Sequence, residues 1–243
     1  MDDNSMNIVL TMAGHGARMA ARYPDIPKWM VNVEDRLLID WVLDDRIFSI
    51  ATQVVVVCLR SHKGLYDFKQ SINEKWPLAH INVVYLDHIT KGQLRTAFHA
   101  FPFIEDEGRV IVRNIDTINF LSDDNLLDIT ALAMDEIYLP CFKSSCDQYS
   151  HYQPATGLLR DGYVEDALAV SGLYVFGSLS VLKSAVDSLQ SCPASAEENM
   201  TLAVTRSRDK GASIRYGLMD ACIPLGTPDE YDQLITRGNC LVR

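Results

Sequence analysis

The run Gln53-Val-Val-Val-Val-Cys-Leu59 constrains the fold more than any other segment. An extended strand with one face in water alternates polar and apolar residues; this one does not, so both of its faces must be covered. Asn7–Met12, Ile81–Leu86 and Arg109–Arg113 have the same character. Between these strands lie segments with apolar residues at helical spacing: Leu37–Ile47, Gly64–Trp76 (stopped by Pro77) and Gln93–Phe101. Strands covered on both faces and joined by helices predict an α/β fold, with a mainly parallel sheet between two helical layers. Right-handed crossovers collect the carboxyl ends of such strands on one edge, where ligands bind. The turns after Met12 and after Arg113 are both expected there.

The second half of the chain is less regular. Glu136–Phe142, Ala169–Phe176 and Ser213–Leu218 read as strands, Leu179–Leu189 and Ala196–Arg208 as helices, and Lys143–Asp161 as a hairpin or loop. No repeat or Gly/Ser linker interrupts the 243 residues, so one domain spanning 1–243 is expected. A net charge of -10 argues against general binding to nucleic acid or anionic membranes, although a local positive site can still hold one phosphorylated molecule. No apolar run reaches the roughly 18 residues of a membrane span. The N-terminus is acidic, and a cytoplasmic location without membrane insertion is expected. The six cysteines include no C-x-x-C pair, and Cys141 with Cys146 lacks the second pair of a zinc site, so reduced thiols are the expectation.

The segment carrying most chemistry is Met6-Asn-Ile-Val-Leu-Thr-Met-Ala-Gly-His-Gly-Ala-Arg18, followed by Pro27-Lys28. A strand that feeds a glycine-rich turn can present bare backbone N–H groups to phosphate oxygens. Arg18 and Lys28 add fixed positive charge, which suits a polyphosphate. A dinucleotide fingerprint fails because position 19 is Met, and no Walker G-K-[ST] occurs. Further on, Arg113-Asn-Ile-Asp-Thr-Ile118 places an aspartate just beyond a strand. There Asp116 could hold Mg²⁺ through hard oxygen contacts or simply cap a turn. Ser171-Gly-Leu-Tyr-Val-Phe176 reads as a core strand, and Gly226-Thr-Pro-Asp-Glu-Tyr231 as a turn opening a helix with Pro228 in its first turn.

In this order, A-G-x-G-x-R, P-K, T-K-G-Q (Thr90–Gln93), N-x-D, S-G-L-Y-V-F and G-T-P-D-E-Y resemble the sugar-1-phosphate nucleotidyltransferase type of nucleoside-triphosphate transferase. The resemblance runs from about Asn7 to Leu234. It implies a GT-A-like fold, a Rossmann-like three-layer α/β/α sandwich. A nucleotide-binding half (1–120) would face an acceptor-side half (121–243). It also implies Mg²⁺-dependent transfer of a nucleotidyl group from a nucleoside triphosphate to a sugar phosphate or similar phosphorylated acceptor, releasing pyrophosphate, as in nucleotide-sugar and polysaccharide biosynthesis. Met12, Ala13, Gly14, His15 and Gly16 would then cradle the triphosphate, with Arg18 at its leaving end and Lys28 near the α-phosphate. Asp116 would hold Mg²⁺, Gly92 and Gln93 would lie by the base, and Glu165 and Gly172 would face the acceptor. Homo-oligomerisation stays open.

Two positions depart from the pattern. The family's Glu-Lys pair before the S-G-L-Y strand, whose lysine reaches the acceptor phosphate, corresponds to Glu165-Asp166. A metal ligand two residues before G-T corresponds to Pro224, with Asp220 nearby in sequence. These departures keep a competing reading open: a nucleotide- or sugar-binding relative that has lost turnover and serves a regulatory or assembly role.

Overall fold

The Gln53–Leu59 strand sends its side chains into two separate cores, as its lack of alternation requires. In the computed structural model, Val54, Val56 and Cys58 pack into one core, and Val55 and Val57 into another on the opposite face of the sheet. The structure describes residues 5–14, 16–104, 107–187 and 198–236. In chain order, the elements begin with β1 (Met6–Met12), α1 (Ala17–Ala20), β2 (Asn32–Val33), β3 (Arg36–Leu37), α2 (Leu38–Leu43) and β4 (Gln53–Leu59). Next come α3 (Phe68–Lys75), β5 (His80–Leu86), α4 (Gln93–Phe98), β6 (Arg109–Arg113), β7 (Thr117–Phe120) and α5 (Asp123–Thr130). They are followed by β8 (Glu136–Phe142), β9 (Ser150–Gln153), β10 (Leu158–Asp161), β11 (Leu168–Val170) and β12 (Leu173–Phe176). The last are α6 (Leu179–Asp187), α7 (Met200–Asp209), β13 (Ser213–Leu218), β14 (Ala221–Pro224) and α8 (Pro228–Thr236).

A ten-stranded sheet runs β10-β9-β11-β8-β12-β6-β1-β4-β5, with β13 pairing alongside β8. The strands β5, β4, β1 and β6 are mutually parallel, while β12 joins β6 antiparallel. Helices α2, α3 and α5 supply Leu38, Val42, Ile72 and Ile129 to the first core. On the other face, α4, α6 and α7 supply Leu94, Ala97, Leu182 and Val204. The result is a helix/sheet/helix sandwich around a mixed sheet, as expected.

Several expectations needed correction. The helix expected over Leu37–Ile47 ends at Leu43, because Asp45 turns extended and caps a following 3₁₀ turn by accepting from Ile47 N. The helix expected over Gln93–Phe101 ends at Phe98, with a 3₁₀ turn at Phe101–Phe103. The helix in Gly64–Trp76 starts only at Phe68, where the Asp67 side chain accepts from Gln70 N. Ala169–Phe176 is two strands, broken where Gly172 takes φ +80°. The Lys143–Asp161 region does form a hairpin, β9–β10. The ends of two expected helices, residues 188–189 and 196–197, lie outside the described residues.

Candidate functional site

Parallel pairing of β1 with β6 brings the two suspected turns together, since Leu10 lies opposite Arg113. The turn beyond β6 is built on a buried ion pair. Arg113 is fully buried and Asp45 nearly so, and their charges meet at 2.8 Å from Nη2 to Oδ2. Arg113 Nη1 also donates to Asn114 O at 2.9 Å and Nη2 to Thr117 O at 3.3 Å. One guanidinium thus ties down both ends of the turn that presents Asp116. A charge buried in this way is tolerated only because a carboxylate and carbonyls satisfy it.

Asp116 lies between β6 and β7, with a side chain 22% exposed, and forms an ion pair with Lys28 through Oδ2. Lys28 Nζ donates also to Gly226 O at 3.2 Å. An ammonium has three N–H donors, so one remains for a ligand. Burial pushes the Asp116 carboxyl up, but the charge and hydrogen bond of Lys28, helped by Arg18, outweigh it and hold the carboxyl below the usual range. Its other oxygen, Oδ1, is buried and has no partner. Arg18 is exposed, reaches across the cleft, and donates from Nη1 to Gln148 Oε1 at 3.1 Å. A Cβ placed on Gly226 would lie 3.6 Å from Asp116 Oδ2, 3.7 Å from Arg18 Nη2 and 3.2 Å from Glu230 Oε2, so three segments converge on this point. Glu230 is held from two sides. Thr227 donates to it from N at 2.9 Å and from Oγ1 at 3.1 Å, and Tyr149 Oη donates to its other oxygen.

Arg18, Asp116 and Glu230, but not Lys28, line a cavity whose remaining lining is uncharged. Gln93, Asn114, Ser171 and Gly172 line it, with Phe142, Tyr149 and Tyr174 supplying rings. The backbone conformation at Gly172 disfavours any other residue, and a Cβ there would lie 1.9 Å from Asn114 Nδ2, so Asn114 occupies the space a side chain would take.

The sequence-nominated residues divide by location. Met12 ends β1, buried opposite Cys58. Ala13 O accepts from Thr90 N at 3.1 Å, which joins the glycine turn to the T-K-G-Q segment. Gly14 is exposed with open space above it, and Gly16 sits over Lys28, a Cβ there falling 3.8 Å from Lys28 Cβ. His15 lies outside the described residues. Gly92 (φ +146°) is pressed against the Glu198 backbone, where a Cβ would come within 2.5 Å of the carbonyl oxygen. Gln93 shares the cavity with Asp116 and Gly172. Glu165 is exposed between β10 and β11 and does not line that cavity; its neighbour Asp166 has φ +55° and is also exposed. Pro224 does line it, paired with Thr117 across β14–β7, while Asp220 is exposed.

Asn114, Ser171, Glu230 and Asp45 were not nominated from the sequence. The first three sit inside the N-x-D, S-G-L-Y and G-T-P-D-E stretches and could have been found there; Asp45 carries no local signal. Among the described residues no three His, Cys, Asp or Glu side chains converge as a metal cage. The unpartnered Asp116 Oδ1 nonetheless fits Mg²⁺, which commonly takes one or two carboxylates and completes its shell from phosphates and water. The four described cysteines, Cys58, Cys141, Cys146 and Cys222, are free thiols, and burial pushes Cys58 up to about 11. No helix among the described residues is long and apolar enough to cross a membrane.

No protein-family model and no curated protein sequence matches the chain. Solved structures do. A nucleoside-diphosphate-sugar pyrophosphorylase from Vibrio cholerae RC9 superposes with a TM-score of 0.74 at 21% identity, over 94% of this chain and 99% of that one. An apo UDP-glucose pyrophosphorylase gives 0.74 at 15% identity, and a UDP-glucose pyrophosphorylase complexed with UDP-glucose gives 0.71 at 17%; each match covers 96% of this chain and 97% of that one. With the sheet order and the cleft at its carboxyl edge, these likenesses establish that the chain has the sugar-1-phosphate nucleotidyltransferase-type fold of the nucleoside-diphosphate-sugar pyrophosphorylases.

Proposed function

We propose that the chain is a nucleotidyltransferase that joins a nucleoside triphosphate to a phosphorylated small-molecule acceptor and releases pyrophosphate. The observation that carries the reading is the meeting of Lys28 and Asp116 beside the glycine turn, in a fold shared with pyrophosphorylases. In this reaction an acceptor phosphate oxygen attacks the α-phosphorus in line. A new P–O bond forms, the bond to the β-phosphate oxygen breaks, and pyrophosphate leaves with the electron pair. Positioning and charge neutralisation dominate such chemistry, because two polyanions must be brought together.

Backbone amides of Ala13–Gly16 would cradle the triphosphate. The remaining N–H of Lys28 would meet charge at the α-phosphate, and the exposed Arg18 would face the leaving pyrophosphate. Asp116 Oδ1 would hold Mg²⁺, which when bound offsets charge across the phosphate oxygens. The low carboxyl pKa of Asp116 keeps that oxygen ionised at neutral pH.

A second reading, a binding protein without turnover, draws on Pro224, which faces the cavity with no side-chain ligand atom. A pyrophosphate-release assay separates the two, run with Mg²⁺ over a matrix of nucleoside triphosphates, sugar phosphates and phosphocholine. The transferase reading expects turnover that collapses in folded Lys28→Ala and Asp116→Ala. Triphosphate binding with no turnover on any acceptor would favour the second reading.

A further inference from the structure

His151 is fully buried in β9, and both of its ring nitrogens face backbone carbonyls. Nδ1 lies 3.1 Å from Tyr149 O, and Nε2 lies 3.0 Å from Ser144 O. A carbonyl oxygen only accepts, and a neutral imidazole carries a single N–H. In the neutral ring one nitrogen lone pair would therefore point at a carbonyl with no proton between them. Protonated at both nitrogens, the ring satisfies both oxygens, which is what a buried polar group requires. Turning the ring over would set its carbons against the same carbonyls, so the contacts themselves settle its orientation.

The two carbonyls belong to one connection, residues 143–149, which joins β8 to β9. It carries Gln148 and Tyr149 into the cavity lining, where Gln148 accepts from Arg18 and Tyr149 donates to Glu230. His151 ties the start of this strap, Ser144, to its end, Tyr149. Tyr149 O has a second donor in Gly162 N at 3.0 Å, whereas Ser144 O has no other among the described residues, so the Ser144 end depends on the ring.

The strands around His151 place Phe142 of β8, Ala169 of β11 and Arg160 of β10 in one row with it. Tyr163 meets the ring edge-on, with centroids 5.7 Å apart. The charges nearby in the chain are Lys143 and Asp147 on the strap, Arg160, and Glu165 with Asp166 before β11. They are of both signs and all exposed to solvent, which leaves the two carbonyls as the partners that decide the ring's protonation.

We infer that His151 is a positioning residue for the cleft. As an imidazolium it clamps both ends of the 144–149 strap and seats Gln148 and Tyr149 against Arg18 and Glu230; loss of one proton releases one end. Grip on a phosphate ligand therefore weakens as pH rises. The clamp itself stands on geometry alone, and only the choice of a phosphate ligand as reporter rests on the transferase reading.

Two measurements test it. Nitrogen-15 NMR of the full chain follows the His151 ring and the backbone amides from about pH 5.5 to about pH 9, across the ordinary histidine range. Inorganic pyrophosphate with Mg²⁺ is titrated calorimetrically over the same range into the wild type and into His151→Gln, which has no titrating group there; thermal unfolding serves as the folding control. The expected result is that both ring nitrogens carry protons at the acid end and that the amides of residues 144–149 shift together with the ring. Wild-type affinity should fall about tenfold relative to the variant as pH rises, the order of one lost hydrogen bond. Taking the ratio of the two proteins removes the titration of pyrophosphate itself. A ring that stays neutral throughout, strap amides that do not follow it, or the same pH dependence in wild type and folded variant would overturn the inference; the NMR measurement decides it even if the variant does not fold. Pyrophosphate that binds neither protein at any pH, while ring and strap titrate together, would remove the transferase reading and leave the clamp standing.

Discussion

The two walls of the cleft are built by different means. The charged wall, with Lys28, Asp116 and Arg18, hangs from the parallel half of the sheet. Its central turn is fixed by a buried ion pair, Arg113–Asp45. The neutral wall, with Asn114, Ser171 and Gly172, lies where β6 meets the antiparallel strand β12, and it is fixed by shape, an amide filling the gap above a glycine. One wall is specified by electrostatics and the other by the absence of a side chain. Breaking them should therefore fail in different ways.

The largest effect is expected on the charged side. Asp45→Ala leaves the fully buried Arg113 guanidinium without its carboxylate, and such a loss costs about 3–5 kcal/mol. Denaturant unfolding should show this, and the turn around Asp116 should lose ligand affinity with it. Gly172→Ala comes next. It forces a Cβ into the Asn114 amide at a φ of +80°, a strain of about 1–3 kcal/mol. If the walls are independent, this variant should lose acceptor binding while triphosphate affinity is retained; equal loss of both would erase the distinction.

The smallest effect is on proton binding. Asp116 has a folded pKa below its ordinary value of 3.8, so its contribution to stability is fully present above 3.8 and is lost as pH falls through the lower folded value. Lys28→Met removes the main lowering influence and leaves burial, which acts upward, against the smaller lowering influences of Arg18 and a backbone hydrogen bond. A carbon-13 NMR titration of the carboxyl should find it protonating at higher pH in the variant than in the wild type. An unmoved titration would show that Lys28 does not govern this group.

The same contrast decides how much could be read from the sequence. The bounds of Gln53–Leu59, Arg109–Arg113 and Glu136–Phe142 were legible because continuous burial leaves an apolar signature, whereas Ser213–Leu218, which is largely exposed, was legible without one. The meeting of the turns after β1 and β6 followed from parallel topology, which puts both strand ends on one edge; Lys28 reaches Asp116 from a 3₁₀ turn further along the chain. β7 and β14 escaped notice because Thr117–Phe120 is short, half polar, and finds its partner about a hundred residues away. Helix α5 was missed despite a local signal: Ser122 and Asn125 exchange hydrogen bonds as a capping box, with two aspartates in the first turn. The break at Gly172 was hidden because S-G-L-Y-V-F reads as one strand until Asn114, nearly sixty residues earlier, is seen to fill the gap. Gln93 was read toward the base, yet it faces the same cavity as Gly172, a relation that only the packing of α4 reveals.

The central claim is that the charged wall holds a triphosphate. Calorimetric titration of ATP, CTP, GTP, UTP and dTTP, each with Mg²⁺, into the wild type and Lys28→Met tests it most directly. The account predicts that at least one triphosphate binds the wild type and that the folded variant binds it about tenfold or more weakly, the loss of a charge-assisted contact. No binding of any triphosphate, or equal affinity in the two proteins, would contradict it.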